Sequence, residues 1–109
     1  YKNLRGIFHC FTGSVELLEF GLSKNWLISF AGVCTFKKNF EHFKSLMNIL
    51  PLDKLVLETD APYLSPEPLR GRENQICNVK YMYEFVAKNY NISVEELIKI
   101  TTTNYHNLF

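Results

Sequence analysis

A chain of 109 residues, 47% hydrophobic and 21% charged, is sized for one hydrophobic core and is too short for two ordinary domains. A formal net charge of +1 excludes a bulk polyelectrolyte binder, so any contact with nucleic acid has to be local to a site. No apolar run approaches the ~18 residues of a membrane span and no signal peptide is visible. Cys10, Cys34 and Cys77 are too irregularly spaced for a disulfide framework or a zinc pair. They read as reduced thiols in an intracellular protein, cytoplasmic or nuclear, with Cys10 and Cys34 in the core and Cys77 partly exposed.

Residues 6–11, GIFHCF, have strand character, and Thr12, Gly13 and Ser14 turn the chain into a helix over residues 15–25. There Val15, Leu18 and Leu22 recur at i, i+3 and i+7, the spacing of one helix face. Residues 27–31, LISFA, make a second strand closed by Gly32, and Lys37, Lys38 and Asn39 lead into a second helix. Its apolar face is Phe40, Phe43, Met47 and Leu50, and Pro51 ends it. Leu55, Val56 and Leu57 form a third strand, of the kind buried on both faces of a parallel sheet. Connections of this length force parallel pairing through right-handed crossovers.

Residues 62–75 then form a long polar loop holding three of the four prolines, a length that marks a functional or a disordered segment. A helix over residues 76–90 carries the stripe Val79, Met82, Tyr83 and Val86 and is broken by Asn91. Ser93 and Glu96 form a capping box for the last helix, with Val94, Leu97, Ile98, Thr101, Tyr105 and Leu108 along one face. Three parallel strands with flanking helices neither close a barrel nor cover their own edges. The expectation is the C-terminal portion of a larger α/β barrel, because the chain opens on Tyr1 rather than Met and the missing strands should lie upstream.

The chemistry concentrates where strands end. Glu58 and Asp60 stand two apart after an apolar run, so a strand period of two points both carboxylates the same way, at the end of a parallel sheet where active sites are built. The alternative is that Asp60 only caps a turn before Pro62. His9, in the first strand with Ile7 and Phe11 on its own face, is either a satisfied core histidine or a ligand. If the strands are parallel neighbours, His9 and Asp60 share a rim and make a divalent-metal site. Thr12, Gly13 and Ser14 open a helix with free N–H groups suited to phosphate, or are an ordinary N-cap with Glu16 in the first turn. Arg70 and Arg72 in the long loop offer planar forks that match phosphate oxygens, or are solvated surface arginines. His42 and His106 read as surface residues, and Trp26 as packing rather than a stacking platform.

These stretches together resemble the TatD family of metal-dependent deoxyribonucleases, a branch of the amidohydrolase-like TIM barrels. The residues that carry the resemblance are FHCFTGS at 8–14, ISFAGVCTF at 28–36, LVLETDAPYLSPEPLRGREN at 55–74 and the ending SVEELIKITTTNYHNLF at 93–109. The resemblance covers essentially the whole chain and implies the last two fifths of a (β/α)8 barrel of ~250 residues. It implies that His9 and Asp60 are metal ligands on the sixth and eighth strands, that Asp60 also helps activate the attacking water, and that Glu58 lines the same pocket, either supporting the ligands from behind or handling a proton. It further implies that Arg70 and the turn of Thr12, Gly13 and Ser14 meet the phosphates of a DNA substrate, single-stranded or at a DNA end. The cofactor is one or two divalent ions, zinc, magnesium or manganese. The arginine loop departs from the usual family pattern at Leu69 and Glu73. The family's remaining ligands, a His-x-His, a glutamate and a histidine on earlier strands, have no counterpart in these residues, so the 109 residues alone are expected to be inactive. Two other readings share His9 and Asp60: an amidohydrolase-type enzyme acting on a small amide or ester, and a barrel that serves as a scaffold without catalysis.

Overall fold

The structure is a computed structural model and describes residues 3–108; Tyr1 and Phe109, at the two ends of the stretch that carries the resemblance, lie outside the described residues. In chain order the elements are β1 (Ile7–Phe8), α1 (Val15–Ser23), β2 (Leu27–Phe30), α2 (Phe40–Ile49), β3 (Leu55–Leu57), α3 (Val79–Tyr90) and α4 (Val94–Leu108). The strands pair in the order β1-β2-β3, all parallel, with Phe8 opposite Ile28 and Ile28 opposite Leu55. This is a (β/α) barrel segment with helices between its strands, in the form expected from the sequence.

The central strand takes the core. All four residues of β2 are buried, as a strand flanked on both sides by partners and covered by helices requires. Around it Leu18, Phe43, Leu46, Leu55, Met82, Val86 and Leu97 are almost wholly removed from water, each side chain contributing about 1.5–3 kcal/mol by burial. Phe30 meets the edge of Phe43 with ring centres 5.3 Å apart, so the apolar face of α2 keys directly onto β2.

Several elements differ from their expected form, each for an identifiable reason. β1 stops at Phe8, and His9 and Cys10 lie in a tight turn rather than in the strand, Cys10 with a left-handed φ of 48°. Pairing resumes at once, since the Phe11 N–H donates to the Ser29 carbonyl at 2.8 Å. The inward face of α2 is Phe43, Leu46, Met47 and Leu50, while Phe40 is 39% exposed at the helix start, where no element covers it. In β3 only Leu55 is buried, because among the described residues no strand pairs with its outer edge. On α4 the buried positions are Leu97, Thr101 and Asn104, with Ile98 and Tyr105 facing out. Asn104 is buried because its amide donates to the carbonyls of Leu52 and Leu55, both at 2.7 Å, fixing the last helix to the start of β3.

Other details follow the sequence. The Ser93 hydroxyl accepts the Glu96 N–H at 3.1 Å, and Asn91 ends α3 in the left-handed conformation with φ 56°. Trp26 is a packing residue: its indole N–H donates to the Leu4 carbonyl at 2.9 Å and its rings meet Phe8 and Phe20 edge-on. Residues 62–75 are ordered, not loose, and lie close against the end of β2. A Cβ on Gly32 would sit 1.9 Å from the Leu64 carbonyl oxygen, so glycine is what lets the two backbones touch. Among the described residues no helix is long and apolar enough to cross a membrane.

Candidate metal centre

The carboxyl ends of the three parallel strands form one rim, and β1 and β3 are each followed there, within three residues, by a left-handed residue. Cys10 has φ 48° and Asp60 φ 53°, a region costing a non-glycine side chain about 1–2 kcal/mol that Asp tolerates better than most. At Cys10 the conformation has a visible use: it aims the backbone N–H at Glu58 Oε2, 3.0 Å away. Glu58 continues the line of β3, its own N–H donating to the Phe30 carbonyl at 3.0 Å. The strand then gives way, so Asp60 reaches the rim through a turn and not by strand alternation. The two carboxylates converge as expected, but by a different local geometry.

His9 completes the group. Its Nδ1 lies 2.7 Å from Glu58 Oε1 and its Nε2 3.6 Å from Asp60 Oδ1. The His9 side chain is 70% exposed, which removes the core-histidine reading, whereas Glu58 is 17% and Asp60 33% exposed. One donor atom from each of the three lies within 4.8 Å of the others. Ligands on opposite sides of a divalent ion at ~2.1 Å stand ~4.2 Å apart, so a small closure of one side chain is enough for all three to share a cation.

The state of Glu58 Oε1 tests that fit. The atom is buried and has no hydrogen-bond donor, its one recorded contact being the close approach of His9 Nδ1 at 2.7 Å. A buried carboxylate oxygen without a donor costs about 1–3 kcal/mol or more, and a cation bound beside it at the rim would give it a partner. Imidazole with two carboxylates is a donor set that suits zinc and manganese, with the carboxylates also suiting magnesium. The thiol of Cys10, half-buried beside these acids and not in the core, is held protonated first by burial and then by the charges of Glu58 and Asp60. Both effects work against a thiolate at this position.

The remaining expected residues are placed as follows. Ser14 is the N-cap of α1, its hydroxyl accepting the Leu17 N–H at 3.2 Å. The Gly13 carbonyl accepts from His42 Nε2 at 2.8 Å, so His42, although on the surface, pins α2 to this turn. Thr12 is exposed beside it. Arg70 lies with its guanidinium 4.2 Å from the centre of the Phe36 ring and makes no ion pair with Glu58 or Asp60 among the described residues. Arg72 is exposed, its carbonyl accepting the Ser65 hydroxyl at 2.6 Å.

One residue of the site escaped sequence reasoning. Asn74, 3% exposed, donates through Nδ2 to the carbonyls of Thr59 and Tyr63 at 2.7 and 2.8 Å, on either side of the Asp60 turn. Its Oδ1 accepts from the Gln75 N–H and from Asn78, at 2.9 and 3.1 Å, and its own N–H donates to the Pro62 carbonyl. Every polar atom of the side chain is thus committed to holding the turn that carries Asp60. An asparagine inside a polar loop gives no periodic signal, and only its tertiary partners reveal it.

A segment of parallel (β/α) barrel with an imidazole and two carboxylates converging at its carboxyl rim defines the class: barrel proteins built to bind a divalent metal at the strand ends. The family model for TatD related DNase matches residues 1–109, and the chain belongs to that family. It is 42% identical over 104 residues to the uncharacterized metal-dependent hydrolase YabD of Bacillus subtilis, covering 95% of this chain and 40% of that protein. It is likewise 42% identical over 104 residues to the uncharacterized metal-dependent hydrolase YcfH of Escherichia coli, covering 95% of this chain and 39% of that one. The crystal structure of YJJV, a TatD homolog from Escherichia coli, superposes with a TM-score of 0.85 at 24% identity over 95% of this chain and 40% of its own, which shows the shared fold. The chain therefore spans about 40% of the length of the curated relatives it matches.

Proposed function

We propose that the complete protein is a metal-dependent phosphodiesterase acting on DNA, with His9 and Asp60 as metal ligands and Glu58 beside them. The observation that supports this most is the convergence of His9, Glu58 and Asp60, one donor atom from each lying within 4.8 Å of the others, with Glu58 Oε1 buried and without a hydrogen bond. A divalent ion bound there supplies Lewis-acid polarisation of the phosphoryl oxygen and lowers the pKa of the attacking water. Asp60, partly open to solvent, orients that water and accepts its proton as the new P–O bond forms. Glu58, its Oε2 held by the Cys10 N–H, presents Oε1 to the same rim beside the imidazole, where it would steady the bound ion. The 3′ or 5′ oxygen leaves from the opposite face as the old P–O bond breaks and takes its proton from solvent, while Asp60 gives up its own to solvent. Arg70 and the turn of Thr12, Gly13 and Ser14 hold non-bridging phosphate oxygens, which makes binding weakly selective for base and sensitive to salt.

The relatives' names carry the hydrolase part of this reading and the family's name the DNase part. In the complete protein, Asp60→Asn should lower affinity for zinc or manganese more than about 10-fold and abolish cleavage of a single-stranded oligonucleotide. Metal titration by calorimetry, alongside the cleavage assay, checks both effects. Unchanged metal affinity in the variant would remove Asp60 from the ligand set. Arg70→Ala separates a nuclease from an enzyme of small amides or esters, since only the nuclease should be slowed, by about 10-fold or ~1.4 kcal/mol.

A further inference from the structure

Beside the metal rim lies a cleft of about 320 Å³ whose walls come from all three strand-to-helix connections of this chain. Thr12 contributes from the connection after β1, Phe36 and Lys38 from the one after β2, and Leu64 from the loop after β3, with His42 on α2 closing the far side. Both flanking strands of β2 belong to this chain, so the enclosure is made by residues of this chain on either side. The volume is at the small end of ligand pockets, about 300 Å³.

Its electrostatics are opposite to those of the rim. The metal group holds two carboxylates and one imidazole, whereas no acidic residue lines the cleft and Lys38 does. Arg70 is stacked on Phe36, the residue that forms part of the cleft wall. Its guanidinium therefore stands at the margin of the cleft, a second positive charge close to the wall that Lys38 lines. Chain length limits how far the two places can be from each other: three residues separate His9 from Thr12, a reach of at most ~11 Å. A polyanion approaching two carboxylates needs its neighbouring charges neutralised nearby, and Lys38 and Arg70 stand close enough to the rim to do so.

We propose that this cleft is a subsite for a nucleotide flanking the scissile phosphate, its phosphate facing Lys38, with Arg70 at the margin over Phe36, and its sugar against Thr12 and Leu64. The inference rests on the nuclease reading above and deepens it by naming where the substrate strand runs. His42 acts here as a positioning residue, because its bond to the Gly13 carbonyl holds α2 against the turn that forms one wall.

The test uses the complete protein with Lys38→Gln and Lys38→Glu, substitutions at an exposed position that leave the core untouched. Two substrates are compared: a single-stranded oligonucleotide and bis(4-nitrophenyl) phosphate, which has no flanking nucleotide. Neutralising Lys38 should raise KM for the oligonucleotide about 3- to 10-fold with kcat unchanged, and charge reversal should raise it further. The slope of log affinity against log salt should fall by about 0.7, the value of one lost contact on a single strand. The ratio of oligonucleotide to small-diester kcat/KM should fall by the same 3- to 10-fold. If both Lys38 variants match the parent in oligonucleotide KM and salt slope, or if the two substrates are slowed in parallel, the subsite is refuted while the nuclease reading stands. If neither substrate is cleaved yet oligonucleotide binding still depends on Lys38, the nuclease reading falls and the cleft remains a strand-binding site.

Discussion

Individual side chains in this protein are sorted by what surrounds them more than by their type, and the three cysteines show it. Cys77 is exposed, Cys10 is half-buried at the negative rim, and Cys34 is wholly buried next to the central strand. Burial pushes the Cys34 thiol up from about 9 to about 12, and burial also raises the Tyr90 phenol. For an acid whose folded pKa lies above its unfolded one, the folded state binds more protons, so stability is complete below the unfolded value and declines as pH rises through the folded value. Between about pH 9 and pH 12 the urea midpoint should therefore fall, and Cys34→Ala should flatten that fall relative to the parent. Identical slopes in the two proteins would mean that Cys34 does not share in the alkaline loss. Thiol alkylation gives the same order without titration: Cys77 first, and Cys34 only on unfolding. At this scale the sequence was informative about Cys34, which lies just past an apolar strand, and about His9 as a candidate. It could not choose between a core and a surface histidine, because β1 ends at Phe8, three residues short of the strand expected over 6–11.

At the scale of elements, helices and strands were legible where periodicity was strong, and the loop that finishes the site was not. The stripe of α3 and the cap of α4 were visible because each is local to a few residues. The inward face of α2 was shifted, Leu46 replacing Phe40, because the packing partners Phe30 and the end of β2 decide which face turns in. Residues 58–75 are held by tertiary hydrogen bonds from Asn74, Ser65 and Thr35, and such bonds leave no pattern in a chain. Asn74 is where this becomes testable. Asn74→Asp keeps the acceptor for the Gln75 N–H but removes both donors to the Thr59 and Tyr63 carbonyls and sets a carboxylate against them. Each carbonyl left unpaired costs about 1–3 kcal/mol, and the Asp60 turn should loosen. In the complete protein the variant should melt earlier and bind zinc about 10- to 100-fold more weakly, the range for residues that orient ligands. A lowered melting temperature with parental zinc affinity would make Asn74 a clamp of the loop with no bearing on the metal.

The molecule as a whole is a well-packed segment with two open sides. Its radius of gyration of 13.4 Å is what a packed chain of this length shows, about 13 Å, so helices and sheet share one core. Yet among the described residues the outer edges of β1 and β3 have no strand partner, and Ile7 is 37% exposed on one of them. Parallel barrels close precisely to remove such edges, and exposed edges pair with whatever strand is available. The metal group is equally one-sided, with all three of its donors contributed by the turn after β1 and the segment after β3. Since the chain spans about 40% of its relatives, the 109 residues produced alone should keep their helical circular dichroism but self-associate through the open edges. They should also cleave single-stranded DNA at no more than a trace of the complete protein's rate at any zinc or manganese concentration, because a one-sided cation site lets ligand exchange compete with substrate binding. Size-exclusion chromatography and a cleavage time course on both proteins decide it: a monomeric 109-residue chain with metal-dependent cleavage at the rate of the complete protein would show that these three strands carry the whole site.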